Sequence, residues 1–468
     1  MVTVSPKFRP VLDPEFVPAA LWNRAYRQAV AVGGHPRKLA IALERSDGSV
    51  SVFRGETGAG SALDERYIDR LLKFLLWQKG GYRITIGGDA ALAEYLWKTY
   101  APGGARAFDY EFMGERVYGR PMEIEHTDYD AVPDERETAA PLGRHLDGYR
   151  IGFDLGASDR KCAAVANGEV IFSDEVPWNP AAQSDPQYHF DGIDDSLRRA
   201  AEKLPRVDAI GGSAAGVYVN NEVRVGSLYR SVPRSVFDAR VTRLFFDLQK
   251  KWGGIPFDVV NDGEVTALAG SMALNDGAVL GVAMGSSLAA GYVTPKGAIT
   301  SWLNELAFVP VDYREDAPAD EWSGDPGVGA QYFSQQAVGR LLAPAGIELP
   351  KEMPLPVKLE QVQELMAGGD ARARRIYETI GVYFGYNIAH YTDFYEVRNL
   401  LVLGRVLTGE GGDLILDTAG RVLKEEFPEI AERIRFHIPG EKEKRHGQAI
   451  AAASLPAIQV QEKTNAVS

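Results

Sequence analysis

The stretch Ile151-Gly-Phe-Asp154-Leu-Gly156-Ala-Ser158-Asp-Arg-Lys161 carries the strongest indication of the fold. It joins two apolar runs, 149–153 and 162–165, and a Gly-containing turn between such runs is typical of a hairpin between two strands. Small residues let backbone amides approach phosphate oxygens, the Ser158 hydroxyl can bind a phosphate, and Asp154 can hold Mg²⁺, usually through water. The stretch is compatible with a phosphate-binding turn, but taken alone a Gly- and Asp-containing turn is more often an ordinary hairpin without a ligand.

A second feature, Asn261-Asp262, follows the strand predicted at 257–260. In open α/β sheets, ligands bind at the carboxyl ends of strands. Asp262 is a candidate general base, which would accept a proton from a hydroxyl that attacks phosphorus in line. The alternative is that Asp262 caps the helix that begins near Val265, a common task for Asp between a strand and a helix.

Length and composition indicate a globular protein of two or three domains, because 468 residues exceed a single ordinary core. The chain is 45% hydrophobic and 25% charged, and no run approaches the ~18 apolar residues that span a bilayer. The first 16 residues contain three prolines and no apolar stretch, which argues against a secretory signal. Cys162 is the single Cys, so no intramolecular disulfide can form, and we expect a cytoplasmic location.

The net charge of −13 argues against nucleic acid and membrane partners, because anionic surfaces require clustered Lys and Arg. Nucleotide binding is compatible with an acidic chain, since a few local amides and one Mg²⁺ can hold a triphosphate. The charge therefore leaves small-molecule ligands as the expected partners.

The amino-terminal part shows an internal similarity to the central part. A predicted hairpin around Gly48 precedes a helix at 63–78 and Gly87-Gly88, and a hairpin around Gly168 precedes a helix at 193–204 and Gly211-Gly212. The hairpin turns lie 120 residues apart and the Gly-Gly elements 124 apart. This near-constant offset indicates a degenerate repeat, although βαβ elements also resemble each other without duplication.

Taken in order, these and later motifs resemble the ROK family of sugar kinases and repressors, within the actin-like ATPase and hexokinase superfamily. The resemblance covers about residues 148–460, and no single motif in it is specific. Its phosphate turn matches Asp154-Leu-Gly156-Ala-Ser158 and its Asn-Asp pair matches Asn261-Asp262. Its remaining motifs match Gly285-Ser286-Ser287 through Gly291, Asn304-Glu305-Leu306-Ala307-Phe308, Gly404-Arg405 and His446-Gly447 through Ala453.

The resemblance implies an α/β protein with the two-lobed, ribonuclease H-like fold of actin-like ATPases. It implies ATP-dependent phosphorylation of a sugar hydroxyl, of a hexose or hexosamine, by a monomer or homodimer with Asp262 as the base. Asn261 and Glu305 would bind the sugar, and Asp154 would hold Mg²⁺. The residues implied for the phosphates and nucleotide are Asp154, Gly156, Ser158, Gly285, Ser286, Ser287 and Gly404.

The resemblance also divides the chain. Residues 1–31 would form an arm, 32–124 an extra α/β half-domain that reads as a degenerate repeat, and 125–147 a linker. Residues 148–264 would form the first kinase lobe and 265–468 the second, whose last helix could return to the first lobe. We call residues 32–124 the N-terminal half-domain.

The sequence departs from the family at three positions or pairs. Val328 occupies the position of a zinc-binding Cys of the family, and Phe308 occupies the position of a zinc-binding His that also touches the sugar. No structural zinc is therefore expected. Ser286-Ser287 occupies the position of Thr-Gly in the family, and the side chain that replaces the Gly hinders the approach of the backbone to a phosphate. These departures leave open a catalytically weak sugar- or nucleotide-binding protein of the same fold. A transcriptional regulator is disfavoured, because the amino end lacks a basic helix-turn-helix pattern.

Overall fold

The computed structural model describes residues 2–137, 142–440 and 447–458. Up to the helix that follows Asn261, the elements are α1 (Ala19–Val32), β1 (Arg37–Glu44), β2 (Val50–Thr57), α2 (Ala62–Lys79), β3 (Arg83–Gly87), α3 (Ala90–Thr99), α4 (Ala107–Glu111), β4 (Glu123–Thr127), β5 (Tyr149–Leu155), β6 (Asp159–Ala166), β7 (Glu169–Pro177), α5 (Gln187–Ala201), β8 (Ala209–Ala214), β9 (Val217–Val219), β10 (Glu222–Val225), α6 (Arg234–Val236), α7 (Leu244–Lys251), β11 (Phe257–Asn261) and α8 (Asp262–Leu274). The later elements are β12 (Val279–Met284), β13 (Leu288–Val293), α9 (Gln335–Ala345), α10 (Leu355–Ala367), α11 (Ala371–Tyr391), β14 (Asn399–Leu403), α12 (Glu410–Glu426), α13 (Pro428–Ala431), β15 (Arg435–His437) and α14 (Gln448–Ala453).

The described residues fall into two compact units. The first unit draws on Met1–Thr138, Leu280–Ala290 and Ser301–Ile438, and the second on Ala139–Val279, Gly291–Thr300 and Pro439–Ser468. The residues of the arm and of the N-terminal half-domain belong to the same unit as most of the chain after Leu280. The kinase lobes expected at 148–264 and 265–468 remain a prediction.

A mixed five-stranded sheet of order β11-β8-β5-β6-β7 forms the centre of the second unit. Strands β5, β8 and β11 are parallel, whereas β6 is antiparallel to both β5 and β7. Ile151, Phe153 and Leu155 are every second residue of β5, so their side chains lie on one face of the sheet. They enter one apolar core with residues of α5 and α7. Because β5, β8 and β11 run parallel, their carboxyl ends lie at the same edge of the sheet.

The opposite face of this sheet is covered by α14, which contacts β5 and β8. Two glycines allow a very close approach. A Cβ on Gly152 would lie 2.2 Å from Ala449 O, and one on Gly211 would lie 1.8 Å from Ala452 O. Any larger residue would push the small-residue helix off the strands.

In the first unit, the N-terminal half-domain contains a four-stranded sheet of order β2-β1-β3-β4. Strand β1 is antiparallel to β2 and β3, and β3 is parallel to β4. Helix α2 begins at a capping box in which Ser61 and Asp64 satisfy each other's backbone amides, and it ends at Gly80, with φ +77°.

The rest of the first unit has a sheet of order β13-β12-β14-β15 and a buried helix pair, α11 and α12. Gly381 and Gly385 face Thr418 and Val422 at distances that leave no room for a Cβ. The residues before α1 lie against two helices: Leu12 N donates to Thr379 Oγ1 of α11 at 3.3 Å, and Asp13 pairs with Arg340 of α9 at 3.0 Å.

Several elements predicted from the sequence are confirmed, including the two hairpins, α2, β11 and the last helix. The sequence also predicts a helix from about residue 420 to residue 435, and this prediction was wrong in its bounds. Helix α12 spans Glu410–Glu426, the short helix α13 begins at Pro428, and Arg435–His437 form strand β15. Of residues 125–147, predicted as a linker, Glu125–Thr127 lie in β4, and Arg136 pairs with Val50.

Candidate active site

The turn between β5 and β6 is a tight hairpin in the second unit. Asp154 lies opposite Lys161 in the ladder, and Gly156 N donates to Asp159 O at 2.9 Å. Trp178 Nε1 donates to Gly156 O at 2.8 Å, which fixes the turn from outside. The backbone amides of Ala157 and Ser158 therefore occupy the tip of a turn that is held rigidly at its base.

Asp154 lies in a largely apolar environment with one strong partner. Ser213 Oγ, on β8, donates to Asp154 Oδ1 at 2.7 Å, and Lys161 Nζ lies 4.0 Å from Oδ2. Burial raises the pKa of Asp154 and the charge of Asp159 adds to this, against the opposing effects of Ser213 and Lys161. Sequence reasoning missed Ser213 as a site residue, although its Gly211-Gly-Ser213 context had been recognised as a repeated element.

Asp159 is a further residue that sequence reasoning missed. Ser158 Oγ donates to Asp159 Oδ2 at 2.9 Å, and Lys161 Nζ lies 3.0 Å from Asp159 Oδ1. Burial alone would raise the pKa of Asp159, but the hydrogen bonds from Lys161 and Ser158 lower it. The hydroxyl expected to serve a phosphate is thus already bound to a carboxylate within the same turn.

Asn261 and Asp262 form the junction between β11 and α8. Asn261 Oδ1 accepts from Gly263 N at 2.7 Å, and its Nδ2 donates to Gly216 O at 2.7 Å, so Asn261 is the cap of a helix that begins at Asp262. Asp262 Oδ1 also accepts from Gly263 N, at 2.9 Å. The capping task weighed for Asp262 is therefore shared, with Asn261 as the main cap.

The carboxylates of Asp154 and Asp262 interact electrostatically across β8. Burial, followed by the negative charge of Asp154, raises the pKa of Asp262 to about 6. Both residues stand at the carboxyl ends of parallel strands that flank β8, where Asp154 is opposite Ser213 and Asn261 is opposite Ala214. A carboxyl group with this pKa is roughly nine-tenths ionised at pH 7, as a general base requires.

The other residues expected at the nucleotide, Gly285, Ser286, Ser287 and Gly404, lie in the first unit. Gly285 N donates to Ser287 O at 3.0 Å, and the side chains of Ser286 and Ser287 are exposed. Gly404 has a φ of +115°, and a Cβ there would lie 2.3 Å from Met284 O. Gly404 therefore lies against the strand end that leads into the 285–287 loop, so these expected nucleotide residues come together.

Glu305, expected at the sugar, also lies in the first unit. Its backbone N donates to Trp77 O at 2.9 Å, and Asn304 N donates to Gln78 O at 3.0 Å. The Phe308 ring packs against Trp77, with ring centroids 4.3 Å apart and the ring planes tilted by 33°, and Val328 is fully buried. Apolar side chains therefore occupy the two positions at which the ROK family, which this sequence resembles, has zinc ligands.

Within the described part of the chain, no group of three or more His, Cys, Asp or Glu side chains is arranged to hold a metal ion. Mg²⁺ does not require such a cage, since it is usually held by one or two carboxylates together with substrate phosphates. Asp154 fits this role, because one of its oxygens is fixed by Ser213 while the other has only a distant Lys161. No described helix combines the length and apolar character that crossing a membrane requires.

No protein-family model matches this sequence, and no curated protein matches it. Solved structures do match. A ROK hexokinase from Thermus thermophilus is 17% identical with a TM-score of 0.52, and the match covers 65% of this chain and 97% of that one. The chain has the fold of the ROK hexokinases.

A ROK-family transcriptional regulator, described as a homologue of the E. coli MLC protein, shares the ROK fold at 17% identity with a TM-score of 0.51, over 83% of this chain and 96% of that one. The fold expected from the sequence motifs is therefore confirmed. Because both kinases and regulators have the ROK fold, the fold alone does not decide between these activities.

Proposed function

We propose that this protein phosphorylates a sugar hydroxyl, of a hexose or hexosamine, with ATP and Mg²⁺. The observation that carries the proposal is the pair of coupled carboxylates. Asp262, with a pKa raised to about 6, directly follows β11, and Asp154 is the next-to-last residue of β5 in the same sheet, beside the Gly156–Ser158 turn. A base and a phosphate turn side by side are what phosphoryl transfer to a hydroxyl needs.

In the proposed reaction, the ionised Asp262 accepts the proton of the sugar hydroxyl as that oxygen attacks the γ-phosphorus of ATP. The new bond is between the sugar oxygen and phosphorus, the bond that breaks joins phosphorus to the β–γ bridging oxygen, and ADP leaves. Mg²⁺, held near Asp154, would neutralise charge on the phosphate oxygens. Asn261 has one amide hydrogen and one lone pair beyond its capping bonds, which suits a sugar hydroxyl.

Residues of the first unit complete the proposed assignment. Gly285, Ser286 and Ser287 would bind phosphates of the nucleotide, Gly404 would let its ribose or adenine approach the backbone, and Glu305 would accept a hydrogen bond from the sugar. Gly404 supports this role because its left-handed backbone conformation excludes larger residues.

The test is ADP release from Mg-ATP in the presence of hexoses, N-acylated hexosamines and other polyols. Asp262→Asn is expected to lower kcat by about 10²–10⁴, the range for loss of a general base. Asp258→Asn is the matched control, because Asp258 lies on the same strand and its carboxyl bonds to Asn221. Absence of acceptor-dependent ADP release, or an Asp262→Asn variant as active as wild type, would refute the proposal.

A second candidate is a sugar- or nucleotide-binding protein with little catalysis. It is favoured by the hydrogen bond from Ser158 to Asp159 and by Phe308 in place of a sugar-binding His. Calorimetry would distinguish the two, since this candidate predicts ligand binding without ADP release. A regulator is less well supported, because the chain carries a net charge of −13, which disfavours a nucleic-acid surface.

A further inference from the structure

The carboxyl end of α2 is capped by a segment more than 200 residues away in the chain. The last carbonyl groups of a helix have no partner within the helix. Here Trp77 O accepts from Glu305 N at 2.9 Å and Gln78 O accepts from Asn304 N at 3.0 Å. The N-terminal half-domain thus binds directly to the backbone of the proposed sugar-binding residue.

Asn304 is held in a conformation that a free loop would rarely adopt. Its φ is +51°, its side chain is almost fully buried, and its Oδ1 accepts from Tyr395 OH at 2.7 Å. Gln78 Nε2 also donates to Phe394 O at 2.8 Å. The end of α2 therefore bonds both to Asn304 and to the residue before Tyr395. Because Asn304 directly precedes Glu305, its left-handed backbone conformation sets the direction in which the Glu305 side chain extends from the backbone.

The segment after Glu305 is tied to the same helix. The Phe308 ring packs against Trp77, and Trp77 Nε1 donates to Asp109 Oδ1 at 2.7 Å. Asp109 in turn pairs with the fully buried Lys73 at 2.8 Å, and Lys73 also bonds to Asp325. Breaking one partner of a buried ion pair leaves an uncompensated charge, so this connection resists separation.

We propose that the N-terminal half-domain is a positioning element for the acceptor site, and that Tyr395, Asn304 and the end of α2 orient Glu305 toward the sugar. The inference rests on the proposed function of Glu305 as a sugar ligand. It gives the extra 32–124 segment a role in the reaction through the hydrogen bonds from the backbone of Asn304 and Glu305 to the end of α2. Tyr395 and Asn304 are positioning residues, which act through Glu305.

Steady-state kinetics of the full chain tests this with Tyr395→Phe, which removes only the hydroxyl that bonds to Asn304. We expect the KM for the sugar to rise about tenfold, the effect of one hydrogen bond to a buried group, while the KM for Mg-ATP stays within about twofold. Tyr391→Phe is the matched control, because the buried Tyr391 hydroxyl has no hydrogen-bond partner among the described residues. That variant should keep both KM values.

A second pair of variants separates positioning from folding. Asn304→Asp keeps the acceptor oxygen and tolerates the left-handed backbone, so it should retain a near-normal sugar KM, whereas Asn304→Ala should raise it. The inference would be overturned if the sugar KM were unchanged in both Tyr395→Phe and Asn304→Ala, or if the KM for Mg-ATP rose as much as the sugar KM. Either result would leave the proposed function standing. A wild-type protein that neither binds nor phosphorylates any sugar would overturn the proposed function and this inference together.

Discussion

Replacing Asp262 by Asn is expected to stabilise the folded protein at neutral pH while removing the proposed base. Burial and the charge of Asp154 raise the pKa of Asp262 from 3.8 to about 6. A rise of this size means that the ionised carboxylate destabilises the folded state by about 3 kcal/mol. Asn carries no charge and keeps an oxygen for the bond from Gly263 N, which is 2.9 Å long. In a chain of this length, about 3 kcal/mol raises the Tm by roughly 3 °C.

The sign of the pH dependence follows from the direction of the pKa change. The folded state binds the Asp262 proton more tightly than the unfolded state, so the destabilisation is complete above pH 6, shrinks as the pH falls and vanishes below the unfolded pKa of 3.8. Thermal unfolding of Asp262→Asn and wild type should therefore differ at pH 7.5 and coincide near pH 4. Asp238→Asn, at an exposed position of the second unit, should change the Tm little at either pH. A variant that melts below wild type at pH 7.5, or a gain of equal size at both pH values, would contradict this account.

Three further outcomes follow from the same contacts. The kcat/KM for the sugar should fall about tenfold per pH unit below pH 6, because Asp262 must be ionised to accept a proton; a flat profile from pH 7 to 5 would exclude it as the base. Asp159→Asn should tighten Mg-ATP binding about tenfold in calorimetry, because it weakens the competition for Ser158 and Lys161, whereas weaker binding would indicate that Asp159 helps to hold the metal. Gly211→Ala should lower the Tm by several degrees, since its Cβ would lie 1.8 Å from Ala452 O, while Gly420→Ala, with open space around it, should not lower the Tm.

The parts of the site that the sequence predicted well are those set by local chemistry. A Gly-containing turn between apolar runs specifies the β5–β6 hairpin with no help from the rest of the chain, and the Asn261-Asp262 junction marks a strand that gives way to a helix. Both features depend on residues within about ten positions of each other.

The parts that the sequence did not predict depend on distant partners. Ser213 bonds to Asp154 from 59 residues away, and Tyr395 bonds to Asn304 from 91 residues away. No periodicity or spacing reveals such pairs, because they form only when the strand order and the helix packing are known. Asp159 is the exception, since a carboxylate beside Ser158 in a proposed phosphate turn was visible in the sequence and its competing role could have been predicted.

The strand order explains why the N-terminal half-domain would position a substrate rather than bind a phosphate. Its order β2-β1-β3-β4 matches β7-β6-β8-β11 of the second unit with β5 left out, and the pairing directions agree, since β1 is antiparallel to β3 and β3 is parallel to β4. The repeat predicted from the sequence would correspond to this sheet without β5. Because β5 carries Asp154 in the second unit, the N-terminal sheet has no counterpart of that carboxylate and its turn, which a metal-nucleotide would require. Helix α2 has the place of α5 in this order, and its carboxyl end binds the backbone of Glu305.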